Sequence, residues 1–134
     1  MRKLTIIAML MTACSLSGRV MAFYDQSPAE LKSDQSKFRE EVSFSLSFDQ
    51  FLQAAYVAQT TCKDSVNFVV SPDRTSATAT LNIPGMSAMA TVALAEARPN
   101  ATGTVVKVWA QNGGFAHAML TPIHQIGVPP KCRS

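Results

Sequence analysis

The stretch VSFSLSFDQFLQAAYVAQTTC, residues 42–62, changes its hydrophobic period within a few residues, and that change decides the fold class. Val42, Phe44 and Leu46 alternate with Ser43 and Ser45, the pattern of a strand with one buried face. At Ser47 the period lengthens. Phe48, Phe51, Leu52, Ala55, Ala58 and Cys62 recur at steps of three and four and share one helical face, with Asp49, Gln53 and Gln59 largely away from it. Ser47 followed three residues later by Gln50 predicts a capping box, and Leu46 with Phe51 is spaced for a hydrophobic staple. Strand therefore passes directly into a long helix that runs to about Thr61 and ends its buried face at Cys62.

Downstream of Cys62 the alternation returns. Residues 66–70 read as a strand, closed by the turn-forming Ser71-Pro72-Asp73-Arg74. In residues 75–83, Ala77, Ala79, Leu81 and Ile83 face one way and Ser76, Thr78, Thr80 and Asn82 the other, until Pro84-Gly85 breaks the run. Residues 86–97 are more uniformly apolar; Thr91, Val92 and the flanking turns favour a strand, and about ten apolar residues are too few to span a bilayer. Arg98-Pro99-Asn100 predicts a turn and residues 103–110 a further strand. Asn112-Gly113-Gly114 then reads as a turn, residues 115–120 as a short helix or edge strand, and Thr121-Pro122 as a helix start that Gly127, Pro129 and Pro130 cut short. This order predicts a two-layer α+β domain over residues 41–134, an antiparallel sheet of about four to five strands packed against one long helix.

Upstream, the chain opens MRKLTIIAMLMTAC. Arg2 and Lys3 precede a short apolar run, the pattern of a secretory signal. Two ends fit it. Cleavage before Cys14 makes the signal residues 1–13; cleavage after Val20-Met21-Ala22 makes it residues 1–22 but leaves Arg19 between the apolar run and the cut. Residues 14–40 are polar without sustained period and read as a flexible tether, with a turn of helix near Pro28 to Lys32. The formal charge of +3 falls to +1 once Arg2 and Lys3 are set aside, and no basic run remains, so nucleic-acid binding lacks electrostatic support. In an oxidising compartment Cys62 and Cys132 form an even pair once Cys14 is accounted for. A bond between them would close a loop of about 70 residues and stabilise the fold by roughly 4 kcal/mol. Two separate buried thiols is the other reading; neither cysteine has a second Cys or His at zinc-ligand spacing.

Met11-Thr12-Ala13-Cys14 resembles the lipobox of bacterial lipoproteins, departing from its usual Leu at the position of Met11. That resemblance implies a thioether-linked diacylglycerol on Cys14, hence a membrane partner through the anchor, and Ser15 implies an outer-membrane address facing the periplasm. A long helix ending in Cys62, with Cys132 near the end of the sequence, resembles small lipoproteins of the Gram-negative envelope. The resemblance covers about residues 42 to 132 and implies no activity.

The sequence carries no recognisable catalytic constellation. His117 and His124 are the two histidines, and no serine stands in a nucleophile elbow. No further ligands at diagnostic spacing join them, so neither metal nor cofactor is expected. Asp49 suits the first turn of a helix, Asp64 and Asp73 suit turns, and Glu96 lies near the end of an apolar strand, which explains each carboxylate without catalysis. Val105, Lys107 and Trp109 share one face of a predicted strand and form a candidate contact surface. The expected role is a non-catalytic binding or structural module meeting an envelope protein or cell-wall partner, not an enzyme. The alternative is a soluble periplasmic carrier or sensor of a small apolar ligand, with a pocket lined by Met86, Met89, Phe51 and Leu94.

Overall fold

The computed structural model describes residues 26–62, 66–85 and 87–128. Along these the elements are α1 (Pro28–Ser33), a 3-10 turn (Gln35–Lys37), β1 (Phe38–Phe44), α2 (Phe48–Thr61), β2 (Val69–Val70), β3 (Ala77–Pro84), β4 (Met89–Asn100), β5 (Gly103–Ala110) and α3 (Gly113–His124). The five strands among the described residues form one antiparallel sheet in the order β1-β5-β4-β3-β2. The fold is α+β. The strand-to-helix switch at Ser47 has a local cause: Ser47 Oγ accepts from Gln50 N at 3.2 Å, and Gln50 Oε1 accepts from Ser47 N at 3.1 Å. Two orphan amides of the first turn are thereby satisfied by side chains three residues apart.

One helix does not cover the sheet. Two do, α2 of 14 residues and α3 of 12, both packed on the same face. That face is built largely of small residues: Ala77 and Ala79 on β3, Ala93, Ala95 and Ala97 on β4, and Val106, Val108 and Ala110 on β5. Small side chains let both helices approach the sheet closely, and bulk comes from the helices instead. Phe51 of α2 is fully buried, its ring 5.0 Å from that of Phe44 and 5.3 Å from that of Phe68. From α3 come Ala116, Met119 and Ile123, spaced three and four apart, followed by buried Ile126.

α3 begins eight residues before the expected start at Thr121. Asn112 is its N-cap, its side-chain oxygen accepting from Phe115 N at 3.0 Å, so Asn-Gly-Gly opens a helix here rather than a turn. Pro122 is accommodated near the other end of the helix. Other boundaries move by a few residues. The strand expected at 66–70 is reduced to Val69–Val70. β4 continues through Arg98-Pro99-Asn100, and its hairpin with β5 turns at Ala101 and Thr102, where Asn100 Oδ1 accepts from Thr102 N at 3.1 Å.

The larger correction concerns the tether. Residues 28–40, expected within it, are folded as α1, the 3-10 turn and the start of β1. A six-residue helix has little stability of its own. Packing holds this one: Leu31 is fully buried with Leu94 and Trp109 on the sheet face opposite α2 and α3. Ser27 caps it, and Thr91 N donates to Gln26 O at 2.8 Å, fastening the incoming chain alongside β4. Lys32 Nζ lies 2.5 Å from Glu96 Oε2 and 5.9 Å from the centre of the Trp109 ring. Arg98 Nε completes the cluster, 2.9 Å from Glu96 Oε1.

Glu96 is thus held between two cations, with its side chain 14% exposed. Burial pushes its carboxyl up, but the hydrogen bonds and charges of Lys32 and Arg98 together outweigh burial and hold it below its ordinary value. A carboxylate depressed in the fold adds stability above its unfolded pKa, and that stability fades as pH falls through the folded one. Glu96→Gln is therefore expected to lower the melting temperature at about pH 7, with the gap to the wild type closing below about pH 4. Thermal melts of both proteins across pH check this; a gap independent of pH would contradict it.

Candidate binding cleft

α2 presents two stripes. Phe51 and Ala55 face the sheet and are buried. The second stripe, Gln50, Gln53, Ala54, Val57, Ala58 and Cys62, recurs at three- and four-residue steps and forms one wall of a cleft of about 410 Å³. The other wall is the turn after α3, supplied by Gln125, Gly127 and Val128. Gly127 has φ +80, a left-handed conformation that carries the chain out of the α3 turn. Ile126 N donates to Ile123 O and Val128 N to Gln125 O, both at 3.1 Å, which winds the turn tightly enough to bring it beside α2.

Among the described residues, no charged side chain lines the cleft. Ala54, Val57, Ala58 and Val128 supply apolar surface, and Val57 and Val128 are 51% and 58% exposed. Three primary amides, Gln50, Gln53 and Gln125, each bring two N–H donors and a carbonyl acceptor. The Gln50 carbonyl is engaged at the Ser47 cap. An apolar strip beside amides matches an uncharged extended chain, whose backbone needs donors and acceptors while its side chains need apolar contact.

The residues singled out in the sequence are placed differently. Val105, Lys107 and Trp109 do lie on one face of β5, but Trp109 is 7% exposed beneath Leu31 and beside Phe38, whose ring is 5.7 Å away. It is therefore removed from any contact surface by α1. Val105 is half-buried, and Lys107 is exposed between Glu41 of β1 and Glu96 of β4 in the strand register. Nor do the three described residues of the expected apolar pocket, Phe51, Met89 and Leu94, converge. Phe51 and Leu94 belong to separate clusters on opposite sheet faces, Met89 is 61% exposed, and Met86 lies outside the described residues.

Cys62 caps the C-terminal end of α2, half-buried, with its N–H donating to Ala58 O at 2.9 Å. Cys14, Cys132 and Asp64 lie outside the described residues. His124 Nε2 is 3.3 Å from Glu40 Oε2, and His117 Nε2 is 3.5 Å from Thr121 Oγ1; both histidines are exposed. Asp49 and Arg74 form an exposed ion pair at 3.6 Å. Asp73 organises its own turn, with Ser71 and Thr75 hydroxyls donating to its carboxylate and lowering its pKa. Among the described residues no three His, Cys, Asp or Glu side chains gather as a metal site, and no helix is long and apolar enough to cross a membrane.

Sequence reasoning passed over the cleft. A trace of it was visible in α2, where Val57 is apolar yet falls off the stripe that faces the sheet and is more than half exposed. The opposite wall left no such trace, because it depends on where α3 ends in space. No protein-family model matches this chain, and neither a curated protein nor a solved structure is detectably similar to it.

Proposed function

We propose that this protein is exported to the bacterial envelope, anchored in the outer membrane through lipid on Cys14, and acts there as a non-catalytic binding module. Its contact surface is the cleft beside α2, and the partner is an uncharged extended segment of an envelope protein. The observation that carries the reading is the cleft lining among the described residues: exposed apolar side chains flanked by three amides, with no formal charge among them. Such a lining disfavours charged ligands, which would lose hydration without gaining a counter-charge. The export signal and the lipobox-like Met11-Thr12-Ala13-Cys14 support the address. The cleft volume also falls within the range of small-molecule sites, about 300–1,000 Å³, and it is there that the alternative of a soluble carrier enters.

Site-specific photo-crosslinking in the native host separates these. A photoreactive residue at position 57 is expected to give a discrete protein adduct, and one at position 107, on the other sheet face, is expected to give none. Intact mass of the purified product reads the anchor at the same time. A diacylated or triacylated Cys14 supports the membrane-anchored module. A chain beginning at Phe23, with no protein adduct and a small neutral molecule released in native mass spectrometry, would replace it with the soluble carrier.

A further inference from the structure

We propose that two copies of this protein pair edge to edge through β3, antiparallel about Leu81, joining their sheets into one. The surface is separate from the cleft, and the observation beneath it is an unfinished hydrogen-bond ladder. β2 is two residues long and covers only one end of β3, pairing Val69 with Thr78 and Val70 with Ala77. Ser71 N donates to Ser76 O at 2.9 Å, which makes Ser71 and Ser76 a hydrogen-bonded pair. Such pairs alternate with wide ones along an antiparallel edge. Residues 76, 78, 80 and 82 therefore aim their backbone groups to the β2 side, and residues 77, 79, 81 and 83 aim theirs at β4. The extra residue where β3 and β4 shift register is Val92 of β4, so β3 keeps its alternation.

Beyond Thr78 the outer side is open. Among the described residues no backbone hydrogen bond reaches Thr80 or Asn82 from it. Val66 and Phe68, just ahead of β2, pack on the core instead, with the Phe68 ring against that of Phe51. The side chains along the opening bond to one another rather than cover it. Asn82 Nδ2 donates to Thr80 Oγ1 at 3.0 Å, and Thr91 Oγ1 donates to Asn82 Oδ1 at 2.9 Å.

The occupant follows from register. Centred on Leu81, Thr80 of each copy faces Asn82 of the other, and each such pair exchanges two N–H···O bonds. Centring on Thr80 would set Asn82 against Thr78, which Val69 already occupies. Centring on Asn82 would set Thr80 against Pro84, which has no N–H to give. The window also ends where a second copy needs it to end. Past Pro84 the chain turns away, with Gly85 N donating to Ala88 O at 2.8 Å, just where β2 of the other copy begins. Side chains agree with this register. Leu81 meets Leu81 of the second copy in a wide pair, where side chains approach most closely, and small Ala79 faces large Ile83. Leu81 and Ile83 are only half-buried, so pairing removes further apolar surface from water. No charge in residues 77–84 opposes it.

The other edge stops assembly at two copies. β1 carries Arg39, Glu40 and Glu41 in its seven residues, and its register with β5 shifts between Phe38 and Glu40. Charges and bulges keep an exposed edge from pairing. One open edge and one blunted edge give a closed two-fold dimer rather than a filament.

The test uses the full chain, purified from its host in mild detergent and sedimented at a density matched to that detergent. A concentration-dependent monomer–dimer equilibrium is expected, with no larger species. Thr80→Lys combined with Asn82→Lys, both at exposed positions, sets like charges opposite each other twice. It should weaken the dimer about tenfold or more, with the circular dichroism spectrum unchanged. Thr80→Glu combined with Asn82→Glu should do the same, and mixing the two variants should restore association. Mild oxidation of Leu81→Cys reads the register. On the two-fold axis its Cα lies about 4.5 Å from that of the second copy, within disulfide reach, so it should cross-link more than the wild type. Ile83→Cys, facing Ala79 of the other copy, should not. A chain that stays monomeric up to about 100 μM, a weak limit for a specific dimer, would overturn the proposal. So would a dimer that the lysines leave intact, growth past two copies, or equal cross-linking at positions 81 and 83.

Discussion

Replacing Phe51 by alanine is expected to destabilise the fold by about 3–5 kcal/mol, the range for removing a fully buried aromatic ring. The ring is fully buried and lies between those of Phe44 and Phe68. The sheet beneath contributes mainly alanines, which are too short to move into the space vacated. A cavity therefore remains, and its cost adds to the lost transfer energy. Against a total stability of about 5–15 kcal/mol for a domain of this kind, the loss is a large share. At roughly 4–8 °C per kcal/mol the melting temperature falls by tens of degrees. Circular dichroism melts measure it directly. A loss below about 1 kcal/mol would mean that Phe51 does not anchor α2 to the sheet.

The second large effect is expected at Gly103, the first residue of β5. Its φ is +152, a conformation that side chains rarely adopt, and a Cβ there would sit 2.1 Å from Phe44 O and 3.0 Å from Leu46 O. Both obstacles are backbone atoms flanking the junction between β1 and α2, so neither can rotate aside. Leu46 O also accepts from the buried Thr104 Oγ1 at 3.0 Å, which ties the junction to β5. Gly103→Ala must displace the β1 end or the hairpin, at a cost of about 3 kcal/mol or more from backbone strain and lost pairing. Gly113→Ala serves as its control. A Cβ at Gly113 meets nothing within 4 Å, and the residue lies in the first turn of α3, so that substitution should be neutral or stabilise by up to about 1 kcal/mol. Equal effects at the two glycines in urea unfolding would show that close approach at Gly103 is not what demands a glycine there.

Much of the fold was legible because its determinants are local. The Ser47–Gln50 capping box requires two side chains three residues apart, and both of its hydrogen bonds form. The predicted strand at 103–110 matches β5, and the alternation through Ala77 and Ala79 sets the inward face of β3. These signals rest on period and spacing, which a sequence displays whether or not it is folded. Asn112-Gly113-Gly114 was legible only in part. Two glycines lower helix propensity enough to suggest a turn, and the cap bond from Asn112 with the burial of Ala116, Met119 and Ile123 overrides that preference. A six-residue α1 likewise exists through contacts with Leu94 and Trp109, residues more than sixty positions away.

By itself, then, the sequence determined the α+β class, the switch at Ser47 and most strand positions, since each follows from neighbouring residues. Only the tertiary structure decided that two helices share the alanine-rich face, that α1 buries Trp109, and that Gln125 to Val128 come to lie beside α2. The candidate cleft belongs wholly to this second group. Its walls are separated by more than sixty residues of chain, and packing of two helices on one sheet brings them together, which no local period encodes.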